Sequence, residues 1–162
     1  MGINFIQFHA GVVKPSLVQL GPVIPYTIIA DLLVSETIFH ESDRLQALGQ
    51  YPIGGATEHG PFGPGLGVAS IERTTWNWMK GKDRGVLELL SYEDLAWDLR
   101  LNVMACRLRY FLDSIPLPKL EDGVEARATY WWKVYNRGQV DRRPDYLRNA
   151  KAIPWDSSQG AI

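Results

Sequence analysis

Residues 26–48 read "YTIIADLLVSETIFHESDRLQAL", and this stretch gives the strongest indication of the fold. Its apolar residues recur close to the spacing of one helix face. They are Ile28, Ile29, Leu32, Leu33 and Ile38. No proline or glycine interrupts the stretch before Gly49. We therefore predict a long helix that begins after Pro25 and carries Glu41 in its C-terminal half.

Residues 91–118, "SYEDLAWDLRLNVMACRLRYFLDSIPLP", predict a second long helix. Ser91 is a good N-cap, and Asp94 occupies the capping-box position three residues later. Most of the other side chains are apolar, which is typical of a central, buried helix. Pro116 and Pro118 would end it, because proline cannot continue a helix.

The remaining segments predict shorter elements. We expect a helix over about residues 122–135 and a short helix within 137–151. Residues 67–79, "GVASIERTTWNWM", predict a brief strand followed by a helix. The predicted fold class is therefore mainly α with little strand, in a chain of 162 residues that is long enough for one domain with a core.

Residues 1–25 are apolar but show neither helical nor strand periodicity, and they contain three prolines. We predict an N-terminal extended arm that contacts another protein chain rather than completing the domain. The domain itself is predicted over residues 26–150. Residues 151–162 are predicted to form a C-terminal tail.

Composition excludes several classes of function. The formal net charge of −1 provides no broad positive field for nucleic acid or an anionic membrane. The most apolar stretch, residues 16–34, is interrupted by Gly21, Pro22 and Asp31, so we expect no membrane span. The N-terminus lacks the basic start and compact apolar run of a signal peptide.

Metal and cofactor sites are not predicted. The single cysteine, Cys106, excludes an intramolecular disulfide and a cysteine-cluster zinc site, and we expect a buried, inert thiol. His9, His40 and His59 do not have metal-ligand spacing. The sequence also contains no phosphate-binding loop and no GxSxG nucleophile motif.

Glu41 is the candidate catalytic acid. Near the C-terminal end of a helix, the negative end of the helix dipole disfavours an ionised carboxylate. Burial against aromatic side chains would raise the pKa of Glu41 further, toward the value that a general acid needs at neutral pH. The alternative is a solvated glutamate on the helix surface.

A glycine-rich loop and a set of aromatic residues suggest a binding groove. Residues 49–67 contain seven glycines and three prolines, and such a loop either lets backbone approach an extended ligand or binds nothing. The aromatic residues either stack on sugar rings or pack in the core. They are Trp76, Trp78, Tyr130, Trp131, Trp132 and Tyr135.

Four segments, in order, resemble motifs of the lytic-transglycosylase and goose-type-lysozyme group, most closely its small phage members. The segments are "HES" at 40–42, "GPGLGVASIERTT" at 63–75, "DSIPLP" at 113–118 and "YWWKVYN" at 130–136. The resemblance covers roughly residues 28–150. It departs from the family pattern at Ser70, where the family has Gln, at Arg73, where it has Pro, and at Arg137.

The resemblance implies a lysozyme-like fold that binds peptidoglycan in a groove. It places the family's catalytic acid at Glu41 and the tyrosine that accompanies that acid at Tyr135. The predicted glycan contacts are Gln50, Ser70, Glu72, Thr75, Tyr130, Tyr135 and Asn136.

The function implied is cleavage of the bond between N-acetylmuramic acid and N-acetylglucosamine. Asp43 is too close in sequence to act across a sugar from Glu41, while Glu58 and Glu72 remain possible second carboxylates. The absence of a clear partner favours the transglycosylase route, in which the 6-hydroxyl of the sugar attacks. The alternative is a catalytically degenerate structural protein of a phage virion or tail. Both readings imply virion proteins as partners of residues 1–25 and a location in the virion, or in the host cytoplasm before assembly.

Overall fold

The structure is a computed structural model that describes residues 3–46, 65–83 and 85–155. It is mainly helical, which confirms the predicted class. The helices are α1 Phe5–Phe8, α2 Lys14–Gln19, α3 Ile28–Glu41, α4 Arg73–Lys80, α5 Leu99–Phe111, α6 Gly123–Val134 and α7 Arg143–Lys151. Two short antiparallel strands, β1 Gly65–Leu66 and β2 Ile71–Glu72, form a hairpin. Most of the glycine-rich loop, Gln50 included, lies outside the described residues.

Helix α3 is the central element. Thr27 caps its N-terminus by accepting a hydrogen bond from the Ala30 N–H at 3.2 Å. Every residue from Ala30 to His40 is buried, because α5, α6 and α7 pack around the helix. The predicted start after Pro25 is thus confirmed. The helix ends at Glu41, several residues earlier than the sequence pattern suggests.

The end of α3 is fixed by a tight turn. Asp43, Arg44 and Leu45 have φ values of 46°, 60° and 64°, in the left-handed region that a right-handed helix cannot include. The Ser42 hydroxyl donates to the Ile38 carbonyl at 2.6 Å and accepts from the Leu45 N–H at 2.9 Å. Local polar bonding therefore replaces the next helical turn.

The prediction of an extended arm over residues 1–25 is wrong for its described part. Residues 5–19 are helical, with a π-helical turn, His9–Val13, between α1 and α2. The Lys14 N–H bonds to the His9 carbonyl, five residues back. This wider turn accommodates Pro15, which has no N–H to give to an α-helix. It also shifts the helix phase, which removes the regular apolar spacing from the sequence.

The same N-terminal segment completes the core. Phe5, Phe8, Val13 and Leu17 are each at most 4% exposed and pack against α3 and α5. The domain therefore extends through residues 3–25. The start of the predicted tail packs as well, because the Trp155 ring lies edge-on to Phe5 at a centroid distance of 5.3 Å.

The predicted helix at 91–118 is divided in two. The Asp94 carboxylate accepts from the Ser91 N–H at 2.8 Å, as the capping-box pattern predicts, but a single 3₁₀ turn, Glu93–Ala96, follows. Asp98 then caps α5 by accepting from the N–H groups of Arg100 and Leu101 at 2.8 and 3.0 Å. A second cap so soon after the first restarts the helix.

A buried ionic network joins α3 to α6 and α7. The Arg127 guanidinium donates to both carboxylate oxygens of Glu36, with its Nη2 at 2.7 Å from Oε1. The Tyr146 hydroxyl donates to Glu36 Oε2 at 3.1 Å. The positions of α6 and α7 relative to α3, and therefore to Glu41, depend on this network.

Candidate active site

Glu41 is the last residue of α3 and lies in a cleft between this helix end, the hairpin and the C-terminal end of α6. The cleft brings together five of the seven predicted glycan contacts. They are Ser70, Glu72, Thr75, Tyr135 and Asn136. Arg109, Arg137 and Gln139 complete the polar lining. The structure thus brings residues that are up to 98 positions apart in the chain together around one carboxyl group.

The carboxyl group of Glu41 is poised to hold or release a proton near neutrality. Burial raises the pKa of Glu41 to about 7, and the nearby negative charge of Glu72 acts in the same direction. A hydrogen bond from Trp131 and the positive charge of Arg142 oppose the rise. A group of this kind can act as an acid and then as a base at neutral pH.

Trp131 is the direct partner of Glu41. Its indole Nε1–H donates to Glu41 Oε1 at 3.2 Å. The ring is 1% exposed, stacks on Tyr146 at a centroid distance of 4.9 Å and meets the edge of His40 at 4.8 Å. These contacts hold the indole ring in one orientation, so its N–H points at Glu41. Trp131 belongs to the aromatic set that the sequence suggests for sugar stacking or core packing, but no sequence pattern marks it as the partner of Glu41.

Tyr135 lies in the cleft with Glu41, as the resemblance implies, but its hydroxyl does not donate to the acid. The hydroxyl donates instead to the Ala69 carbonyl at 2.6 Å. Burial raises the pKa of Tyr135 well above its ordinary value, so the hydroxyl stays protonated. Trp131 lies four residues earlier, one turn away on the same face of α6, and takes the position beside the acid.

Ser70 links the hairpin to the helix that carries Glu41. Its hydroxyl donates to the Glu41 main-chain carbonyl at 3.4 Å, and its side chain is buried. Ser70 also has a φ of +48°, which belongs to the turn that connects β1 to β2. Ser70 therefore supports the cleft wall by bonding to the main chain of Glu41, and it does not bond to the Glu41 carboxyl group.

Gly67 and Asn102 hold the hairpin turn in place. Gly67 has a φ of +71°, and a Cβ there would lie 1.8 Å from Asn102 Oδ1. The Asn102 amide donates to the carbonyls of Leu95 and Asp98 at 2.7 and 2.9 Å, while its Oδ1 accepts from the Ala69 N–H at 3.5 Å. The turn is thus packed directly against the start of α5.

The mouth of the cleft is polar. Arg137, which has a φ of +53°, donates to the Thr75 hydroxyl at 3.0 Å across the opening. Glu72 is exposed at the end of β2 and is the other carboxylate among the described lining residues. The described residues enclose about 80 Å³, less than the roughly 300–1,000 Å³ of pockets that enclose a small ligand. A ligand larger than this volume would therefore lie along the mouth of the cleft rather than inside it.

Tyr130 lies away from this cleft. Its hydroxyl donates to the Ile115 carbonyl at 2.9 Å, and its ring borders a separate apolar hollow beside Pro116 and Pro118. The structure does not bring it together with Glu41. Trp76 is buried in the core, and the Lys82 ammonium lies over the Trp78 ring at 4.7 Å.

The described residues contain no group of three or more His, Cys, Asp or Glu side chains placed to hold a metal ion. Within the same ranges, no helix has the length and apolar character needed to cross a membrane. Cys106 is buried, as predicted, and burial raises the pKa of its thiol. Comparisons with models of known families, with curated proteins and with solved structures found no match.

Proposed function

We propose that this protein is a peptidoglycan-cleaving muramidase of a bacteriophage, with Glu41 as its general acid and base. The observation that carries the proposal is a carboxyl group at a helix end, inside a polar cleft, with a pKa raised by burial to about 7. The order of the four resembling segments and a lysozyme-like arrangement of the helices around Glu41 belong to the same proposal.

The first step is proton transfer to the leaving oxygen. Because Trp131 donates to Oε1, the proton of the neutral acid resides on Oε2. Oε2 gives this proton to the glycosidic oxygen as the bond to C1 of N-acetylmuramic acid breaks. The resulting positive charge on the sugar ring is spread over C1 and the ring oxygen.

The second step uses the ionised Glu41 as a base. In the transglycosylase route, the carboxylate takes the proton of the sugar's 6-hydroxyl while that oxygen bonds to C1, which closes an anhydro ring. In a hydrolase, water attacks C1 instead, and a second carboxylate assists. Glu72 is the described cleft residue that could assist, but it is exposed at the mouth. The transglycosylase route therefore remains the preferred form of the proposal.

A second candidate is a virion or tail protein without catalytic activity. It is favoured by the narrow cleft and by the Arg137–Thr75 hydrogen bond across its mouth. Exposed apolar side chains of the N-terminal segment, such as Ile6, Val18 and Val23, offer contacts to other virion proteins. A virion-borne lytic subunit would combine the assembly role of this candidate with the activity of the first.

Zymography on purified cell wall tests the proposal. We expect lysis by the native protein and a loss of at least about 10²-fold in Glu41→Gln, because the amide keeps the shape of the acid but delivers no proton. Glu121→Gln makes the same change at an exposed site and should retain activity. Mass spectrometry of the products separates anhydro sugars from reducing sugars. No lysis by the native protein would leave the structural candidate.

A further inference from the structure

A second hollow, distinct from the cleft at Ser70 and Tyr135, also borders Glu41. It has a volume of about 360 Å³ and lies between the turn that ends α3 and one face of α7, with Arg142 just before that helix. We propose that it binds a single carboxylate group carried by the peptide substituent of the glycan. This inference rests on the proposed function, because it assigns the substrate's peptide to that site.

The positively charged groups of the lining are all guanidinium groups. Arg44, Arg142 and Arg148 all border the hollow. Arg148 is paired with Asp145 at 2.8 Å, whereas Arg44 and Arg142 have no ion-pair partner among the described residues. Planar guanidinium groups bind carboxylates through two parallel hydrogen bonds, so unpaired ones are suited to such a ligand.

His40 supplies an unused hydrogen-bond donor. Arg44 Nε and Nη2 both donate to Asn149 Oδ1 at 3.3 Å, which turns the Asn149 amide nitrogen toward His40 Nδ1 at 3.0 Å. His40 Nδ1 is therefore the acceptor, and the ring proton is on Nε2. Nε2 is buried and has no hydrogen-bond partner among the described residues, although buried polar groups are normally paired. His40 thus carries an unused donor and is one of the residues that border the hollow.

The charges of the lining favour one negative charge on the ligand. Asp43 and Asp145 oppose the three arginines, which leaves one positive charge in excess before Glu41 is considered. Burial lowers the pKa of His40 to about 4, so its ring is neutral at pH 7 and donates without adding charge. A carboxylate matches this excess, and a phosphate dianion does not.

The turn at residues 43–45 builds the site. Three successive residues other than glycine have positive φ, a conformation that persists only where surrounding contacts enforce it. The turn brings the Arg44 side chain to Asn149 on α7, beside His40 and Arg142. Backbone strain is therefore concentrated where the hollow is formed.

The peptide of N-acetylmuramic acid is the suitable source of the carboxylate. This sugar carries a lactyl group from which a peptide with a free carboxylate extends, and it contributes C1 to the bond that Glu41 would cleave. Since Glu41 borders both hollows, the glycosidic bond and the substituent of the same sugar can be bound together. The hollow would thus select glycan that still carries its peptide.

Calorimetric titration with N-acetylmuramyl-L-alanyl-D-isoglutamine and its uncharged amide tests the inference. The native protein should bind the acid roughly tenfold more tightly than the amide, since hydrogen bonds between charged groups are the strong ones. Arg142→Gln should abolish this preference, and Arg100→Gln, a matched change at an exposed site on α5, should keep it. Arg44→Gln replaces Arg142→Gln if circular dichroism shows that the latter is unfolded.

Three outcomes of the titrations with acid and amide overturn the inference: equal binding of the two, binding of neither, or a preference that survives both arginine substitutions. Inorganic phosphate is the second probe, and tight competition by phosphate would assign a general anion site instead. Zymography with Glu41→Gln is read separately. An active enzyme that does not distinguish acid from amide refutes the peptide site alone, whereas an inactive protein refutes the proposed function.

Discussion

The indole N–H of Trp131 and the carboxyl group of Glu41 form a hydrogen bond of 3.2 Å between the last turn of α6 and the last residue of α3. The donor acts on one oxygen, Oε1, so it distinguishes the two oxygens of the acid. It also stabilises the ionised form and thereby limits the rise in the pKa of Glu41 that burial produces. Trp131 is therefore a positioning residue for the proposed reaction.

Trp131→Phe should raise the pKa of Glu41 above about 7, because it removes a donor that stabilises the carboxylate. The upper limb of the pH–activity profile should move to higher pH, while a structural role alone would leave its midpoint unchanged. NMR titration of the Glu41 side chain measures the shift directly. Trp132→Phe is the control, since Trp132 donates to the Gln139 carbonyl and does not contact Glu41.

The stability of the protein should depend on pH through Glu41. Burial raises its pKa from 4.5 in the unfolded chain to about 7 in the fold, so the native state binds the proton more tightly. The contribution is fully present below pH 4.5 and is lost as the pH rises through about 7, by up to about 3 kcal/mol.

Urea unfolding at pH 5 and pH 8 measures this effect. The native protein should lose stability from pH 5 to pH 8 as Glu41 ionises. Glu41→Gln should not show this loss, because its amide does not ionise, so its stability relative to the native protein should be higher at pH 8 than at pH 5. Taking the difference between the two proteins removes the contributions of Asp31 and Glu36, which titrate in both. An identical pH dependence in both proteins would contradict the raised pKa.

Gly67→Ala should destabilise the protein by about 1–3 kcal/mol, a typical cost of a residue held at an unfavourable positive φ. The added methyl group would also collide with Asn102 and displace the hairpin wall of the cleft. Thermal unfolding and zymography should both report the loss. Gly11→Ala is the control, because a Cβ at Gly11 meets no atom within 4 Å. This substitution should either have little effect or stabilise the helix by up to about 1 kcal/mol.

Phe8→Ala should lower the free energy of unfolding by about 3–5 kcal/mol, the usual cost of removing a buried aromatic ring. Phe8 is 3% exposed, whereas Ile6, two residues earlier, is 40% exposed. Ile6→Ala should therefore have a much smaller effect. Chemical denaturation compares the two variants. A small effect of Phe8→Ala would indicate that the N-terminal segment is not part of the core.

The sequence was sufficient for elements whose signals are local. The apolar spacing from Ile28 to Ile38 predicts α3, and residues 122–135 contain α6 almost without error. The motif at His40–Ser42 directs attention to Glu41, and burial produces the pKa that its position at a helix end suggests.

Other features depend on geometry that no local pattern encodes. The π-helical turn before Pro15 shifts the helix phase, so the core face of the N-terminal segment has no regular period. Trp131 and Glu41 are 90 residues apart, and their contact depends on how α6 packs against α3. The hollow at His40 depends on Asn149, whose partners on α3 and in the following turn become apparent only when α7 is placed beside them.

The Glu36–Arg127–Tyr146 network also determines how the domain opens. Separating α3 from α6 would break the Arg127–Glu36 pair, and separating α3 from α7 would break the Tyr146–Glu36 hydrogen bond. In such partly open states the charged groups would lose partners before water could solvate them fully, so these states are unfavourable. Hydrogen exchange should therefore report one common free energy of opening for the amides in the middle of these three helices, equal to that of complete unfolding. The helix that carries Glu41 then behaves kinetically as part of a single cooperative unit, and its position persists for as long as the domain remains folded.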